Sequence, residues 1–463
     1  MPKTERRIDI FSGSLTKNII AFTIPLILSA LLQHLYHSAD MIVLGQFSTV
    51  GDGIAAVGAT SSLTALLVNF FLGLAVGVNV VASRYYGRKD GAGMVRITHT
   101  AISVSMIGGV VIGALGILFA RPLLELTGTP EEVIDLSVLY MRIIFGGLPA
   151  QMVYNFGAAI LRSTGETKKP MFILMFSGLI NVALNVVFVV VFHMSVDGVA
   201  YATIISQVFS ALMVVVALAR TRDEWHFSLK KLCIRKRELF DTVKYGVPAG
   251  MQTSLFSLAN IVIQAQINSH GTDAMNGNAA SGNIEAFLYT SMFQFSIAAL
   301  TFTSQSIGAR RPDMIKRINR TCSLLVLGVG IIGGIIYLTC GKFLLGLYLP
   351  DEPAGAELGF VRLTIIATTY YVLGIQDTIV GTIRGMGYSF ASMSISVVGI
   401  CASRIVWIYT VYQLFDQSLF VLWICFPVSW IITLIAQFFL YLGVRKKTVE
   451  KLNESIEKQP IEA

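Results

Sequence analysis

The sequence predicts an all-α polytopic membrane protein, with twelve transmembrane helices in two six-helix lobes related by a pseudo-two-fold axis along the membrane normal. Three observations predict it: a composition poor in charge, a succession of long apolar runs, and a set of motifs that occurs twice. Of 463 residues, 54% are hydrophobic and only 13% charged, where a soluble chain carries about a quarter charged residues. Runs of roughly 20 apolar residues, enough for a helix to cross a bilayer, recur along the chain. An outer-membrane barrel would instead show short segments of alternating polarity, and none appear.

Hydropathy places the spans at residues 18–43, 55–82, 97–120, 136–161, 170–192, 198–219, 243–268, 279–305, 321–348, 360–383, 389–412 and 419–444. Between them lie turn-forming stretches such as "GRKDGAG", "STGETKKP", "HGTDAMNGN" and "LPDEPAG". The first 18 residues are polar and basic and the first apolar segment is too long for a signal peptide, so it is expected to stay as the first span. The domains follow: an amino lobe over 1–219, a cytoplasmic linker over 220–242, a carboxyl lobe over 243–444 and a cytoplasmic tail over 445–463.

The bases set the orientation. The chain has 35 Lys and Arg against 27 acids, a net charge of +8. Thirty of the bases fall in the amino terminus, the 2–3, 4–5, 6–7, 8–9 and 10–11 connections and the carboxyl tail, all on one side of the twelve-span reading. The positive-inside rule then makes both termini cytoplasmic, in the plasma (inner) membrane. The positive charge is thus a topological signal facing an anionic leaflet, and no nucleic-acid partner is expected. Five scattered cysteines form no CxxC pair, so neither disulfides nor zinc are expected.

The two halves repeat. "DGIAAVG" at 52–58 matches "NGNAASG" at 276–282, and Pro25 matches Pro248. "YYGRKD" with "VRI" over 85–97 matches "SIGARR" with "KRI" over 306–318, and "AAILRSTG" at 158–165 matches "VGTIRGMG" at 380–387. The offsets run from 221 to 224 residues. Six helices per repeat return the chain to its starting side, so the repeats share one topology, as in parallel-repeat transporters.

With these residues and "SADMIVLGQ" (38–46), "SRYYGRKD", "LRSTGETKKP", "SGLINVALNVVFV" and "DGVAYATIISQ" on the page, the chain resembles the multidrug and toxic compound extrusion (MATE) family of antiporters over roughly residues 15–444. The resemblance implies efflux of amphipathic organic cations, driven by a proton or sodium gradient through alternating access of the two lobes. It implies no cofactor and, as partners, small cationic substrates and the lipid bilayer, with the protein acting as a monomer.

Three acids lie inside spans: Asp40, Glu285 and Asp377. Ionisable groups at membrane depth are functional candidates, and an apolar surrounding favours the neutral form of a carboxyl, which suits a group that takes up and releases a proton. Gln33, His37 and Asp40 are spaced i, i+4, i+7 and share one helical face beside Tyr36. That face either carries the coupling chemistry, or glues helices together through hydrogen bonds, or ends in an Asp that caps the helix near the outer interface. By resemblance, Asn181, Asn185 and Thr203 join Asp40 in an amino-lobe ion network. Family members with a proton-dependent network carry a second Asp in an NxxxD pattern where this chain has Asn185, which leaves Asp40 as the titrating group of that lobe. Sodium-coupled members carry acids in spans 7 and 10; span 7 here offers only Gln252, Asn260, Gln264 and Gln266. These departures favour protons over sodium.

Asp377 is either a coupling residue or one of a buried pair that holds helices together, and Glu285 either a coupling residue or a lumen-wall or interfacial carboxylate. Arg404 is read as the one deep cation and as partner of a carboxylate such as Asp377. Aromatic and thioether side chains bind flat organic cations without strict geometry, so Tyr36, Phe70, Tyr154, Met251, Phe256, Tyr289 and Met292, with Gln33, His37 and Gln264, are the candidate cavity residues. Pro25 should bend the first span. The glycines of "IGGVVIGALG" should allow close helix contact. No Walker motif, nucleophile elbow or metal cluster is present, so no enzyme is expected; His34 and His37 form HxxH without a third ligand. The competing reading is a flippase or exporter of lipid-linked precursors from the same superfamily. It would want a basic central cavity, and the sequence puts only Arg404 and Arg142 within spans. A membrane receptor would normally add a soluble domain, for which the loops are too short.

Overall fold

The computed structural model describes residues 8–47, 53–221, 223, 225–415 and 417–458, and among these no β-strand occurs. The chain runs α1 (Leu15–Phe47), α2 (Gly53–Gly87), α3 (Gly91–Leu126), α4 (Glu131–Ser163), α5 (Lys168–Val186) and α6 (Val196–Ala219). It continues through α7 (Lys236–Asn268), α8 (Thr272–Gly308), α9 (Pro312–Tyr348), α10 (Pro353–Ala367), α11 (Tyr370–Met386), α12 (Ser389–Ser396), α13 (Ser403–Tyr409), α14 (Val411–Leu414) and α15 (Leu419–Lys458). Among the described residues, eleven helices are long and apolar enough to cross a membrane, twelve if the bent pair α10–α11 is taken as one span.

That pair is where the structure departs from the uninterrupted tenth span of the sequence reading. α10 and α11 meet at 48°. The break falls at Thr368 and Thr369, whose hydroxyls donate to the Thr364 carbonyl (3.0 Å) and the Ile365 carbonyl (2.9 Å). Such bonds compete with the backbone ladder and bend helices. Two other spans widen into π turns, at Val187–Val191 after α5 and Val397–Ala402 between α12 and α13. In the first, the Phe192 amide reaches back five residues to the Val187 carbonyl (3.1 Å).

The chain forms two compact units, one of residues 1–9 and 24–250, the other of 10–23 and 251–463. These limits differ from the lobes drawn on hydropathy, because the first half of α7 belongs to the first unit. There a Cβ on Gly73 would lie 2.1 Å from the Gly250 nitrogen, and one on Gly77 2.1 Å from the Thr242 carbonyl, so α2 and α7 touch backbone to backbone. The unit limits fall beside Pro25 and Pro248, the two prolines inside α1 and α7.

Within the first unit, α4 packs on α2, α3 and α6, and α5 packs on α6. Within the second, α8 packs on α9, α10 and α11, and α11 also packs on α15. The glycine pattern explains the closest of these contacts. On α3, Gly109 faces the Pro149 backbone and Gly113 the Phe145 carbonyl, where added Cβ atoms would sit at 2.5 and 2.6 Å. On α9, Gly330 faces the Tyr371 backbone and Gly334 the Ala367 carbonyl, at 2.9 and 2.6 Å. The same small-xxx-small contact is therefore built in each unit. The opposite face of α3 exposes Ile107, Val111, Leu115 and Leu118, and a neighbouring face of α9 exposes Leu324, Ile331, Ile335 and Leu338. At helical spacing these make stripes suited to lipid contact.

Backbone angles repeat as well. Lys89 and Arg310, in the "GRKD" and "GARR" turns, both take positive φ (57° and 55°). Gly165 and Gly387, which follow α4 and α11, take φ of 83° and 99°. The duplication read in the letters is thus present in turn geometry that few residue types adopt freely.

Gly113→Val and Gly334→Val should each push a helix off a carbonyl and cost about 1–3 kcal/mol. Melting temperatures of the purified variants should fall by several degrees in both cases, whereas Gly346→Val, at a position with open space around it, should melt like the parent.

Candidate functional site

In the first unit, one face of α5 explains how a carboxylate is held inside α1. Leu174, Gly178, Asn181, Asn185 and Val189 recur at steps of three and four and form a stripe. At its start, the Tyr36 ring lies against Gly178, where a Cβ would fall inside the ring, and its hydroxyl donates to the Leu174 carbonyl (3.0 Å) and approaches that of Met175 (3.3 Å). One turn later along α1, Asp40 Oδ1 accepts from Asn185 Nδ2. Next come Val43 and Leu44, which pack with Ala56, Val189, Val196 and Val199 in a cluster that Val57, Leu136 and Tyr140 flank.

The amides extend the network to α6. Asn185 Nδ2 also contacts Asn181 Oδ1 (3.3 Å), and Asn181 Nδ2 donates to Thr203 Oγ1 (3.4 Å). The Ser177 hydroxyl donates to the Ser206 carbonyl (2.7 Å) and fixes α5 against α6. Asn185 is 0% and Asn181 5% exposed, and Asp40 is half-buried. Asn185 Oδ1 is buried without a hydrogen-bond partner. The structure therefore gathers Asp40, Asn181, Asn185 and Thr203 into one polar chain across three helices. Its oxygens form a donor set that a proton or a hard cation could use.

Gln33 is exposed, and the side chain of His37 lies outside the described residues, so the three-residue stripe is seen at Gln33 and Asp40 only. Tyr154 does not line a cavity: it is 6% exposed and its hydroxyl donates to the Pro170 carbonyl (3.3 Å). Phe70 packs edge-on against Phe71.

The second unit carries a different interior. Glu285 is locked in a two-pronged pair with Arg362, Oε1 to Nη1 at 3.0 Å and Oε2 to Nη2 at 3.1 Å, and also accepts from Ser281 (3.0 Å). Arg362 donates onward to the Asn278 carbonyl (3.1 Å). Arg404 does not pair with Asp377, contrary to the sequence expectation. Its Nη1 donates to Asn260 Oδ1 (3.1 Å), its Nε to the Ser429 hydroxyl (3.1 Å), and its guanidinium lies 4.4 Å from the Phe426 ring centre. The reason is that α7 brings an amide, rather than a carboxylate, to that depth. Nor is Arg404 the one deep cation, since Arg362 and Arg384 are 7% and 6% exposed against 5% for Arg404.

Asp377 lies within electrostatic reach of Arg384 and beside the Tyr289 hydroxyl. Its Oδ2 is buried without a hydrogen-bond partner, and Arg384 Nη2 donates to Gln252 Oε1 (2.7 Å). Tyr289 begins an aromatic series that the sequence could not order: Tyr289 to Tyr370 at 6.3 Å, Tyr370 to Trp430 at 5.6 Å and Trp430 to Phe426 at 6.1 Å. In the sequence only Phe426 and Trp430, one turn apart on α15, are visibly neighbours; Tyr289 and Tyr370 come from α8 and α11. Met292 is 1% exposed and its sulfur faces Gly330 and Gly374, so it is packing and not a cavity wall. Met251 is 43% exposed, Phe256 is half-buried, and Gln264 is held by Asn268 (2.7 Å) and Asn278 (3.0 Å).

A duplicated six-helix unit with carboxylates held inside its helices can be compared with known families. A family model described as MatE matches residues 25–187 and again 248–410. This chain belongs to the MatE family. Both matches begin at the prolines already paired and are offset by 223 residues at each end. The probable multidrug resistance protein YoeA of Bacillus subtilis is 27% identical over 444 residues, 94% of this chain and 95% of that one. The probable multidrug resistance protein NorM of Thermotoga maritima is 23% identical, covering 88% of each chain. The multidrug export protein MepA of Staphylococcus aureus is 22% identical over 80% of this chain and 82% of its own. Among solved structures, a MATE protein in complex with MaL6 superposes with a TM-score of 0.89 at 19% identity, over 97% of this chain and 100% of that one. A MOP superfamily transporter from Pyrococcus furiosus gives 0.89 at 18% identity, over 96% and 99%. These structural likenesses establish the MatE fold for this multi-pass membrane protein, and its relatives are transporters rather than enzymes.

Within this MatE chain, the two interiors should respond differently to loss of charge. Glu285→Ala strands Arg362 and should cost about 3–5 kcal/mol, the range for breaking a buried pair, read as a large drop in melting temperature. Asp40→Asn keeps an acceptor for Asn185 and should leave the melting temperature near that of the parent.

Proposed function

We propose that the chain is a secondary active exporter of amphipathic organic cations. It would act as a monomer in the plasma (inner) membrane with both termini cytoplasmic, and export by alternating access of its two lobes. The driving force is an inward proton gradient, with sodium as the alternative ion. The observation that carries this reading is the Asp40 network. A carboxylate inside a membrane helix, hydrogen-bonded to Asn185 and linked through Asn181 to Thr203, is the arrangement through which ion uptake could be felt by three helices together. Protonation removes the charge that the Asn185 amide serves, so the α1–α5 contact is the first to change. A conformational response then needs only that the two arrangements differ in their affinity for the ion.

The names of the relatives support the substrate class: YoeA, NorM and MepA are described as multidrug resistance or export proteins. The flippase reading asks for free positive charge. The second unit holds more buried arginine than the sequence suggested, but Arg362 is neutralised by Glu285 and Arg384 lies in electrostatic reach of Asp377, which leaves a single guanidinium, Arg404, held by the neutral Asn260 and Ser429.

The test is accumulation of a fluorescent organic cation in everted membrane vesicles, with proton and sodium gradients imposed separately. The parent should accumulate the cation when the vesicle interior is acidic, and Asp40→Asn should fall to the level of vesicles lacking the protein. Unchanged gradient-driven accumulation in Asp40→Asn would overturn the assignment. Accumulation under the sodium gradient alone would replace the proton as coupling ion.

A further inference from the structure

Between α6 and α7 the chain reads "FSLKKLCIRKRELF" over residues 227–240, with bases and apolar residues interleaved. A cavity of about 320 Å³ opens where this stretch meets α3. Arg96 and His99 of α3 wall one side, and Lys230, Lys231, Cys233 and Arg235 the other. The volume lies at the lower end of ligand pockets, which begin near about 300 Å³.

The cavity is held open by a docked backbone. His99 Nδ1 contacts the Val95 carbonyl (2.7 Å), so that nitrogen carries the proton, while Nε2 accepts from the Ser228 amide (3.1 Å). The ring is thereby held in place between the two contacts, and it stacks on Phe227 at 5.3 Å. The Arg235 amide donates to the Thr100 hydroxyl (3.1 Å). Linker and helix are thus joined on both flanks of the opening.

Only part of its charge is compensated among the described residues. Arg96 is engaged, with Nε 2.8 Å from Glu238 and Nη2 3.8 Å from Asp90. Lys230, Lys231 and Arg235 form no ion pair with a described residue, and all three are exposed. Three free cations around a cavity of this size call for a compact anion with several oxygens, and a phosphate group satisfies Lys and Arg together. The neighbouring surface is apolar: Leu229 is 70% exposed, Ile234 43%, and on α7 Phe240 is 66% and Val243 41% exposed. Lys236, Phe240 and Val243 share one helical face. A soluble phosphate would have no use for that face, and an acyl chain would.

We propose that this cavity binds the phosphate of an anionic phospholipid, whose acyl chains lie along Ile234, Phe240 and Val243. Each base close to an anionic lipid surface strengthens binding by about fivefold, so losing three should weaken it on the order of a hundredfold.

The experiment is a titration of the purified full chain with phosphatidylglycerol, followed by native mass spectrometry, with phosphatidylcholine of the same acyl chains as comparison. The parent should prefer phosphatidylglycerol. Lys230→Gln, Lys231→Gln and Arg235→Gln combined should lose that preference, while Lys316→Gln, Arg317→Gln and Arg320→Gln combined, which remove equal charge from α9, should keep it. Maleimide labelling of Cys233, read by peptide mass, should slow when phosphatidylglycerol is bound to the parent. Equal loss in both triple variants would reduce the effect to general charge and overturn the site, as would labelling of Cys233 that lipid does not slow. Displacement of the lipid by inorganic phosphate at matched concentration would make a soluble anion the ligand and overturn the lipid assignment.

Discussion

A carboxylate inside a membrane-spanning helix is tolerable only where neighbouring helices supply hydrogen-bond partners, and one face of the first unit is arranged around that constraint. Asn185 is the donor for Asp40. For it to reach, α5 must lie close to α1, and Tyr36 on Gly178 sets that approach. Asn185 must also be oriented, which Asn181 does, and Asn181 in turn leans on Thr203 of α6. Beyond Asp40 the contact becomes apolar at Val43, Leu44 and Val189. A single costly group thus dictates the composition of one face on each of its partner helices. The same reasoning explains why the second unit looks unlike the first at comparable depth: at the 223-residue offset of the two family matches, Asp40 corresponds to Ile263, which is 2% exposed.

The comparison of the two units separates what a repeat fixes from what it leaves free. Backbone contacts are retained, as at Gly113 and Gly334, each against a carbonyl at the same notional distance. Turn geometry is retained, as at Lys89 and Arg310. Side-chain chemistry is not. At the same offset Asn181 corresponds to Arg404, so a position that holds an amide bonded to Thr203 in one unit holds a guanidinium bonded to Asn260 in the other. Close backbone approach is set by sterics and tolerates few alternatives, whereas a hydrogen-bonded pair can exchange donor and acceptor roles if both partners change.

Much of this was legible in the sequence because the bilayer makes local rules strong. Span length, the placement of bases and the glycine spacing each rest on a contact with lipid or with an adjacent backbone, and each could be read without knowing the partner. Asp40, Asn181, Asn185 and Thr203 were grouped by resemblance, and their distances follow from the stripe on α5. What was not legible depended on pairing between distant helices. Arg362 sits near the start of its span, where hydropathy gives no sign of a partner, yet it neutralises Glu285 from 77 residues away. Arg404 was assigned to Asp377 because no periodicity tells which of several helices will face it. Tyr154 and Met292 carry the chemistry of a binding wall but lie in packed interior, and burial of that kind is a property of neighbours that the sequence does not name.

The joint at Thr368 and Thr369 has a mechanical consequence. Glycine contacts such as Gly334 on Ala367 are stiff, since steric repulsion rises steeply with any closer approach. The bend, by contrast, is stabilised by two hydroxyl-to-carbonyl bonds, each contributing only about 1 kcal/mol net. Thermal energy at physiological temperature is a sizeable fraction of that. The second unit therefore combines a rigid seam and a compliant elbow within a few residues of each other, and small angular strain arriving at α10–α11 would be taken up at the elbow, leaving the seam in register.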